Sequence, residues 1–308
     1  MARPLVKIGI NPHWYSQFWI KQFWQLHQRG EIRLRPLFTR LNPPACFYFE
    51  IEGRPCLIDV YDRKETQHNP ADYWLYFKAN FSPAAHYLDN VRPCFSGTTL
   101  KRANKPVLAQ AKPYDIVFMS SISGGRHHKV ALFEALASLP LRSRLVVKMV
   151  TPHDTAQWGT YLRSLGVEVI TETWPYRVWL DWQKKGRWCV LTRGKHDCLS
   201  FKMMDYCSLG AAVLADYAPT TRWAVPVEAG VHFISLGIAP FAEDEMAEPD
   251  FKQLRADYRR RAHEALPVLQ DESLRARIAA NNLAYFRTYI ADGRAARYVI
   301  AQALAVAA

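Results

Sequence analysis

Regular alternation of short apolar runs with amphipathic stretches, between residues 114 and 216, most constrains the fold of this chain. Apolar runs of strand length fall at residues 116–120, 144–150, 167–170, 188–192 and 212–216. Helical spacing of apolar residues occupies the segments between them, at residues 129–138, 156–165, 176–185 and 201–209. Strands that alternate with helices in this way predict a parallel sheet covered by helices.

The first 112 residues also predict mixed α/β structure, in a less regular order. Residues 5–10 form a short apolar run, and aromatic residues then recur at helical intervals between Trp14 and Leu26. Such an aromatic stripe is typical of a helix face that packs into a core. Further strands are predicted at residues 32–38 and, as a pair, within 47–59, and long loops at 64–70 and 92–111.

Two α/β halves with a boundary near residue 112 predict a cleft between them. In open parallel sheets, ligands bind at the carboxyl ends of the strands, because the loops that follow the strands meet there. The residues that follow each predicted strand are therefore the first candidates for a functional site. Residues 250–266 and 272–290, and a last segment to Ala308, predict helices with charged faces.

Composition excludes several classes of protein. The 308 residues are 49% hydrophobic, so the chain can bury a core and is not expected to be disordered. No apolar run reaches the roughly 18 to 20 residues that cross a bilayer, and the N-terminus does not look like a secretory signal, so we expect a cytoplasmic protein. Six cysteines without a CxxC pair indicate reduced thiols rather than a disulfide framework or a zinc site.

The chain is basic, with 40 Lys and Arg against 28 Asp and Glu and a formal net charge of +12. Such a charge is compatible with phosphate ligands, nucleic acid or an anionic membrane surface, and does not choose among them. The basic run at 259–261 is more typical of one solvated helix face than of a binding site.

The turn after the predicted strand at 116–120 is one candidate anion site. It contains Gly124, Arg126 and Lys129, and a helix follows directly. Glycine allows the backbone to approach an anion, and a helix N-terminus offers free N–H groups, so this turn can hold a phosphate or diphosphate. It matches neither a G-x-G-x-x-G fingerprint nor a G-x-x-x-x-G-K-[ST] loop. An ordinary turn with exposed basic residues remains the alternative.

A second candidate lies on the predicted helix at 201–209. Lys202 and Asp205 are three residues apart, which places an ammonium and a carboxylate on one helix face near the N-terminus. Gly210 ends the helix before the next predicted strand. These two groups can address one polar ligand together, or form a solvated ion pair.

This segment resembles the donor-binding domain of GT-B fold glycosyltransferases. The family motif reads S-x-R-x-x-E-x-x-x-x-G followed by a hydrophobic strand, and Ser200, Lys202, Asp205, Gly210 and the strand 211–214 match its spacing. Lysine replaces the arginine and aspartate the glutamate, so a point charge stands in for a bidentate fork. The resemblance covers residues 114–240 and includes the basic turn with Arg126 and Lys129.

The resemblance implies an architecture of two Rossmann-like domains that face a cleft. Residues 1–112 would form the acceptor-side domain, residues 113–271 the donor-binding domain, and residues 272–308 C-terminal helices that pack back across the cleft. By the same resemblance, Lys202 would contact the donor diphosphate and Asp205 the nucleotide ribose. The charge on the leaving diphosphate would be stabilised by Arg126, Lys129, Lys202 and helix N-termini, with no metal and no other cofactor required.

Four further residues are candidates for contact with the reacting groups. Asp59 and, less strongly, Asp62 follow a predicted strand of the first half, and either could act as general base for an acceptor hydroxyl. A carboxylate there is also explained by capping a loop or by pairing with a neighbouring arginine. His196 precedes the Lys202 helix and could meet the leaving phosphate, and Glu228 lies where family members contact sugar hydroxyls.

The predicted function is transfer of a sugar from a nucleotide-sugar donor to an acceptor hydroxyl. The expected acceptor is a glycan or a lipid-linked glycan of bacterial surface polysaccharide or lipopolysaccharide synthesis, with peripheral contact to the anionic inner face of the membrane as an option. The alternatives are a glycosyltransferase that acts on phage DNA, and a basic nucleic-acid-binding protein without catalysis. The second lacks zinc-finger, RNP and basic-zipper motifs.

Overall fold

A computed structural model of the chain describes residues 3–10, 14–41, 45–98, 112–123, 127–193, 198–239 and 248–307. These ranges contain two six-stranded sheets, one in each half of the chain. The first sheet consists of β1 (Leu5–Ile10), β2 (Arg33–Leu41), β3 (Cys46–Ile51), β4 (Arg54–Asp59), β5 (Leu75–Lys78) and β6 (Val91–Pro93), in the order β2-β1-β3-β4-β5-β6. Helix α1 (Trp14–Gln28) connects β1 to β2.

The first sheet is mixed, because β3 and β4 form a hairpin. Only two residues, Glu52 and Gly53, connect the strands, and both have positive φ, at 48° and 79°. Positive φ at both central residues is typical of the type I′ turn, whose twist matches that of a two-stranded ribbon. β3 is therefore antiparallel to β1 and to β4, whereas the β1–β2, β4–β5 and β5–β6 pairs are parallel.

All strand pairs in the second sheet are parallel. Its strands are β7 (Tyr114–Ile122), β8 (Ser143–Met149), β9 (Glu168–Ile170), β10 (Gly186–Leu191), β11 (Ala212–Ala215) and β12 (Ile234–Ser235), in the order β12-β11-β10-β7-β8-β9. The chain runs outward from β7 to β9 and then returns to β10 on the other side of β7. This reversal creates the crevice at which doubly wound sheets bind ligands.

Helices separate the strands of the second sheet and complete the chain. Between strands lie α2 (His127–Ala137), α3 (Pro152–Ser164), α4 (Tyr176–Gln183) and α5 (Lys202–Leu209), and after β12 follow α6 (Glu248–Glu264), α7 (Leu266–Gln270), α8 (Glu272–Tyr285) and α9 (Arg294–Ala307). One turn of π-helix joins α8 to the last helix. None of the described helices combines the length and hydropathy that a bilayer crossing requires.

The second sheet is buried on both faces. Ile116 and Phe118 of β7 pack beneath α2 and α6, whereas Val117 and Met119 face α4. Three tryptophans in and just before α4, Trp174, Trp179 and Trp182, cover this second face. Burial on both faces explains why these strands read as continuous apolar runs rather than as alternating ones.

A single buried cluster joins the first sheet to the C-terminal helices. It extends from Phe49 of β3 through Tyr206 of α5 to Val299 of α9. The aromatic stripe of α1 belongs to it: Trp19 and Phe23 are fully buried. The end of the chain therefore packs on the first half of the protein.

Polar contacts and one glycine fix the position of α9 against α1. Arg297 pairs with Glu31 at 2.6 Å, and Arg29 donates to the carbonyl of Asp292 at 2.6 Å. Gly293, which has a φ of +82°, packs directly on Leu26 of α1. Only glycine combines this backbone conformation with so close an approach.

The structure confirms the predicted α/β fold class with two sheet-containing halves and C-terminal helices. The strands β5, β6 and β12 were not predicted, since runs of two to four residues carry too little periodicity, and β6 overlaps the start of the predicted loop at 92–111. The domain boundaries at 112 and 271 remain predictions.

Alanine substitution at two glycines tests the packing of α9 on α1. Both Gly230 and Gly293 have positive φ, so each substitution strains the backbone and should lower the free energy of unfolding by about 1 to 2 kcal/mol. A methyl group at Gly293 would also lie 2.8 Å from Leu26 Cδ2, whereas at Gly230 it would meet nothing within 4 Å. We expect Gly293→Ala to cost roughly 1 to 3 kcal/mol more than Gly230→Ala in urea denaturation. Equal losses would contradict this packing.

Candidate functional site

A pocket of about 440 Å³ opens at the carboxyl ends of β7, β8 and β9. It lies on the side of the sheet that α4 covers, and its rim reaches the first turn of α5. The side chains that line it come from five elements, from the segment between β9 and α4 and from the residue before α5, and they are Met119, Ser120, Ser121, Val146, Lys148, Ile170, Thr173, Trp174, Tyr176, Trp179, Phe201 and Lys202. The parallel topology thus brings side chains that are up to 83 positions apart in the sequence, from Met119 to Lys202, to one pocket.

Aromatic rings form one wall of the pocket. The ring of Trp179 stacks on that of Tyr176, with centroids 5.4 Å apart and 21° between the planes. Its other neighbour is Tyr206, stacked at 5.9 Å and 27°. The Tyr206 hydroxyl donates to the carbonyl of Val190 at 3.0 Å, which fixes this column of rings to the sheet. Tyr176 and Trp179 of this column line the pocket together with Trp174, so one wall of the pocket is aromatic.

Two lysines bring positive charge to this aromatic pocket. Lys148 near the end of β8 donates to the hydroxyl of Thr173. Lys202, the first residue of α5, is half-buried, and its ammonium lies 5.7 Å from the centre of the Trp179 ring. Burial lowers the pKa of Lys202 to about 8, while nearby Asp205 opposes this effect. A positive group that is partly removed from water binds an anion more strongly than an exposed one.

Asp205 lies behind Lys202 on α5 and does not line the pocket. It is fully buried, and its Oδ1 accepts a hydrogen bond from the Thr98 hydroxyl of the first half. Burial raises the pKa of Asp205 to about 7, although Thr98, Tyr176 and Lys202 all act in the opposite direction. In this geometry the carboxylate contacts Thr98 of the first half and lies close to Tyr176, which lines the pocket. Its contact with the nucleotide ribose stays a prediction.

Lys129 also lies next to the pocket without lining it. This buried residue in the first turn of α2 donates from its ammonium to the carbonyl of Ser121 at 2.7 Å. Ser121 itself lines the pocket, so one residue separates the Lys129 ammonium from it. Gly124 and Arg126 of the same turn, and His196 before α5, lie outside the described residues.

Asp59, the predicted general base, lies in an enclosed polar environment in the first half. Asp59 is fully buried, and its Oδ2 lies 3.1 Å from the ammonium of Lys78, which is also fully buried. The Tyr76 hydroxyl donates to Oδ2 at 2.7 Å, and the amides of Gln67 and Tyr61 donate at 3.0 and 2.9 Å. A general base must reach the hydroxyl that it deprotonates, and this carboxylate is enclosed by four donors. Asp59 instead caps the loop that follows β4.

Two other carboxylates are exposed. Asp62, the weaker candidate for the base, accepts a hydrogen bond from the Asn80 amide at 3.4 Å. The backbone amide of Glu228 donates to His232 Nδ1 at 3.0 Å. Glu228 does not line the pocket. The structure therefore brings Lys202 to the pocket and Lys129 beside it, but not Asp59 or Glu228.

Sequence reasoning missed Lys148 and the aromatic wall. Lys148 occupies the penultimate position of a parallel strand, and Thr173 and Trp174 follow the next one. Strand ends of this kind are a usable signal, because parallel strands present them at a common edge. Within the part of the chain that the structure describes, no group of three or more His, Cys, Asp or Glu side chains could hold a metal ion.

No protein-family model and no curated protein matches the sequence. Similar solved structures include the C-terminal domain of the glycosyl transferase group 1 family protein LpcC from Francisella tularensis, which is 15% identical, with a TM-score of 0.39 over 58% of this chain and 86% of that one. Others described as a rhamnosyltransferase and a galactosyltransferase are also similar.

Two further similar structures come from Anabaena and S. aureus. Anabaena Alr3699/HepE, solved with UDP-glucose, is 14% identical, with a TM-score of 0.47 over 76% of this chain and 64% of that one. A TarM mutant from S. aureus, solved with UDP, is 8% identical, with a TM-score of 0.45 over 75% and 44%. The chain thus spans less than two thirds of the HepE and TarM chains.

The buried Lys78–Asp59 pair predicts a large loss of stability on removal of one partner. Lys78→Met leaves an enclosed carboxylate without its counter-ion, which should lower the free energy of unfolding by about 3 to 5 kcal/mol. Lys7→Met breaks the partly exposed pair with Glu50 and should cost at most about 1 kcal/mol. Urea denaturation of the two variants measures the difference, and similar losses would show that Asp59 is accessible to water.

The raised pKa of Asp205 predicts a pH dependence of stability. The native carboxyl has a pKa of about 7 against an ordinary value of 3.8, so the folded state holds this proton more tightly than the unfolded chain does. The resulting stabilisation is complete below pH 4 and is lost as the pH rises toward 7. Asp205→Asn carries no such proton, so wild type should lose stability relative to this variant between pH 4 and 7. A constant difference in urea midpoint across that range would contradict the burial of this carboxyl.

Proposed function

We propose that this protein transfers a sugar from a nucleotide-sugar donor to an acceptor hydroxyl. The observation that carries the proposal is the pocket at the carboxyl edge of the second sheet, in which a wall of aromatic rings adjoins two lysines. A nucleoside diphosphate has the matching chemistry, because its base is planar and apolar on both faces and its diphosphate is anionic. The pocket, and not the likeness to solved structures, supports this assignment.

The donor would lie along the aromatic wall with its diphosphate toward α5. The base would pack against Trp174 and Tyr176, and the phosphates would contact Lys148 and Lys202. Lys202 is the first residue of α5, so the positive end of the helix dipole acts together with its ammonium. Lys129 adds positive charge behind Ser121.

The reaction places its new negative charge where these cations lie. The acceptor oxygen forms a bond to the anomeric carbon, and the bond from that carbon to the diphosphate oxygen breaks. The hydroxyl proton leaves to a base, and the leaving nucleoside diphosphate gains one negative charge. Lys202 and Lys148 stabilise that charge, which is larger in the transition state than in the bound donor. In this proposal the cationic side chains perform the role for which other enzymes use a metal ion.

The acceptor and the cellular setting belong to the same proposal. We place the reaction in bacterial surface polysaccharide or lipopolysaccharide synthesis, in the cytoplasm, with a glycan or a lipid-linked glycan as acceptor. Association with the anionic inner face of the membrane is compatible with the net charge of +12.

Nucleic acid as acceptor or ligand is the second candidate, favoured by the net charge of +12. The basic run of α6 contributes little to such binding, because its members already have acidic partners. Arg259 contacts Glu134 at 2.5 Å, and Arg260 contacts Asp257 at 3.2 Å. Arg260 and Arg261 both contact Glu264, Arg261 at 3.4 Å. This run is an ion-paired helix face rather than an open phosphate-binding surface.

A thermal-shift experiment with nucleoside diphosphates and nucleotide sugars tests the donor site. At least one nucleotide should raise the Tm of wild type, with and without a chelator, since a ligand that binds the native state stabilises it. Lys202→Met and Lys148→Met should each weaken the binding of that nucleotide by about ten- to hundredfold, because each variant loses one charged hydrogen bond. Lys252→Met, an exposed lysine of α6, serves as the control and should bind as wild type does.

Two results would contradict the donor assignment. No stabilisation by any nucleotide in the panel would remove the donor site as described. Equal binding by the lysine variants and wild type would place the nucleotide elsewhere on the protein.

A further inference from the structure

Three polar side chains that follow β11 contact the chain on its way into α5. Asp216, Tyr217 and Thr221 are all buried. Their hydrogen-bond partners include residues of the connection between β10 and α5, which ends in the entrance of α5 at residues 198–201. We name these three side chains the β11 clamp.

Asp216 fixes the beginning of this connection, directly after β10. Its carboxylate accepts hydrogen bonds from the Arg193 amide at 2.9 Å and from the Thr192 hydroxyl at 3.2 Å. The Tyr258 hydroxyl of α6 donates to it at 2.9 Å. Burial raises the pKa of this carboxyl, although His128 of α2, Tyr258 and Arg193 oppose the rise. The end of β10 is thereby tied to β11 and to α6.

Tyr217 fixes the entrance of α5. Its hydroxyl donates to the carbonyl of Cys198 at 2.6 Å. The guanidinium of Arg193 lies 5.5 Å from the centre of the Tyr217 ring and donates to the carbonyls of Ile238 and Ala239 at 3.4 and 3.2 Å. The ring therefore packs beside a cation that is itself anchored to the segment after β12.

Thr221 connects the same entrance to the first half of the chain. Its hydroxyl accepts a hydrogen bond from the Leu199 amide at 2.9 Å and donates to Asn80 Oδ1 at 3.2 Å. The side-chain amide of Asn80 donates in turn to the carbonyl of Tyr61 at 3.2 Å. The position of the entrance thus depends on the contact between the halves.

The entrance brings two side chains to the proposed donor pocket. Phe201 and Lys202 line the pocket, and the amide of Lys202 donates to the Ser200 hydroxyl at 3.4 Å. Cys198 and Leu199 precede the helix, so the clamp hydroxyls rather than helical hydrogen bonds hold the Cys198 carbonyl and the Leu199 amide. A shift of these two residues would displace the first turn of α5 and the ammonium that it carries.

We propose that Tyr217 and Thr221 are positioning residues for donor binding, which hold Lys202 in place for the donor diphosphate. Neither side chain lines the pocket, so each acts through the entrance of α5 and not on the donor itself. The inference rests on the proposed function and adds to it the residues on which its diphosphate site depends. Misplacement of a binding group by about 1 Å costs up to about a hundredfold, so nucleotide affinity is the quantity to measure.

The first test compares Tyr217→Phe with Tyr285→Phe. Both substitutions remove the hydroxyl of a buried tyrosine that donates to a backbone carbonyl, at 2.6 Å to Cys198 and at 2.5 Å to Val225. The Tm without ligand should therefore fall by a similar amount in both. The probe is whichever of UDP, GDP, ADP, CDP and dTDP raises the Tm of wild type most, and calorimetric titration measures its affinity. Tyr217→Phe should weaken binding by about tenfold, whereas Tyr285→Phe should bind as wild type does.

Conservative replacement of Thr221 separates positioning from packing. Thr221→Val keeps the shape of the side chain but loses the hydroxyl, and Thr221→Ser keeps the hydroxyl but loses the methyl group. Thr221→Val should weaken nucleotide binding by about tenfold, and Thr221→Ser should restore it. A role in packing alone would make Thr221→Ser the weaker binder.

A double-mutant cycle shows whether the effect passes through Lys202. In a Lys202→Met background, Tyr217→Phe should cause no further loss of nucleotide affinity, because the group that it positions is gone. Independent effects of the two substitutions would add instead.

Three results would overturn the proposal: equal nucleotide affinity in Tyr217→Phe and Tyr285→Phe, weaker binding by Thr221→Ser than by Thr221→Val, or an undiminished effect of Tyr217→Phe in the Lys202→Met background. Failure of the proposed function gives a different pattern, in which no nucleotide raises the Tm of wild type. Lysine-selective NMR then tests the clamp without ligand. Tyr217→Phe should raise the pKa of Lys202 from about 8 toward its ordinary value of 10.5, because burial lowers it, and an unchanged pKa would contradict the positioning role.

Discussion

Parallel pairing around β7 is the constraint on which the candidate site depends. β7 lies between β8 and β10 and is hydrogen-bonded to both in the parallel sense, so the carboxyl ends of all three strands meet at one edge. Residues that are far apart in the sequence, such as Lys148 and Lys202, therefore line the same pocket. Helix α4 then covers the pocket from one face and contributes the ring of Trp179.

Hydrogen bonds between buried polar groups connect the two halves to each other. The enclosed Lys78–Asp59 pair shapes the loop after β4, and Asn80 and Thr221 connect that region to the entrance of α5. Thr98 bonds to Asp205 on the same helix, and α9 returns to pack on α1. Polar bonds buried in this way are costly to break without replacement, so they specify one arrangement of the halves.

Sequence reasoning succeeded where a local pattern determines the outcome. Alternation of apolar runs predicted the second sheet, and the spacing of Lys202 and Gly210 predicted the bounds of α5. It failed where the role of a residue depends on partners that are distant in sequence. Asp59 reads as an exposed strand-end carboxylate until Lys78 is placed against it. In the sequence, Lys148 likewise has the pattern of an ordinary strand lysine. Only the structure shows that Thr173 and Trp174 of another loop line the same pocket.

A crystal structure of the chain with a nucleoside diphosphate bound would show directly where the donor binds. We expect the base against Trp174 and Tyr176 and the phosphates within hydrogen-bonding distance of the Lys148 and Lys202 ammonium groups. A nucleotide bound in the first half, or one in the pocket with its phosphates turned away from both lysines, would contradict it.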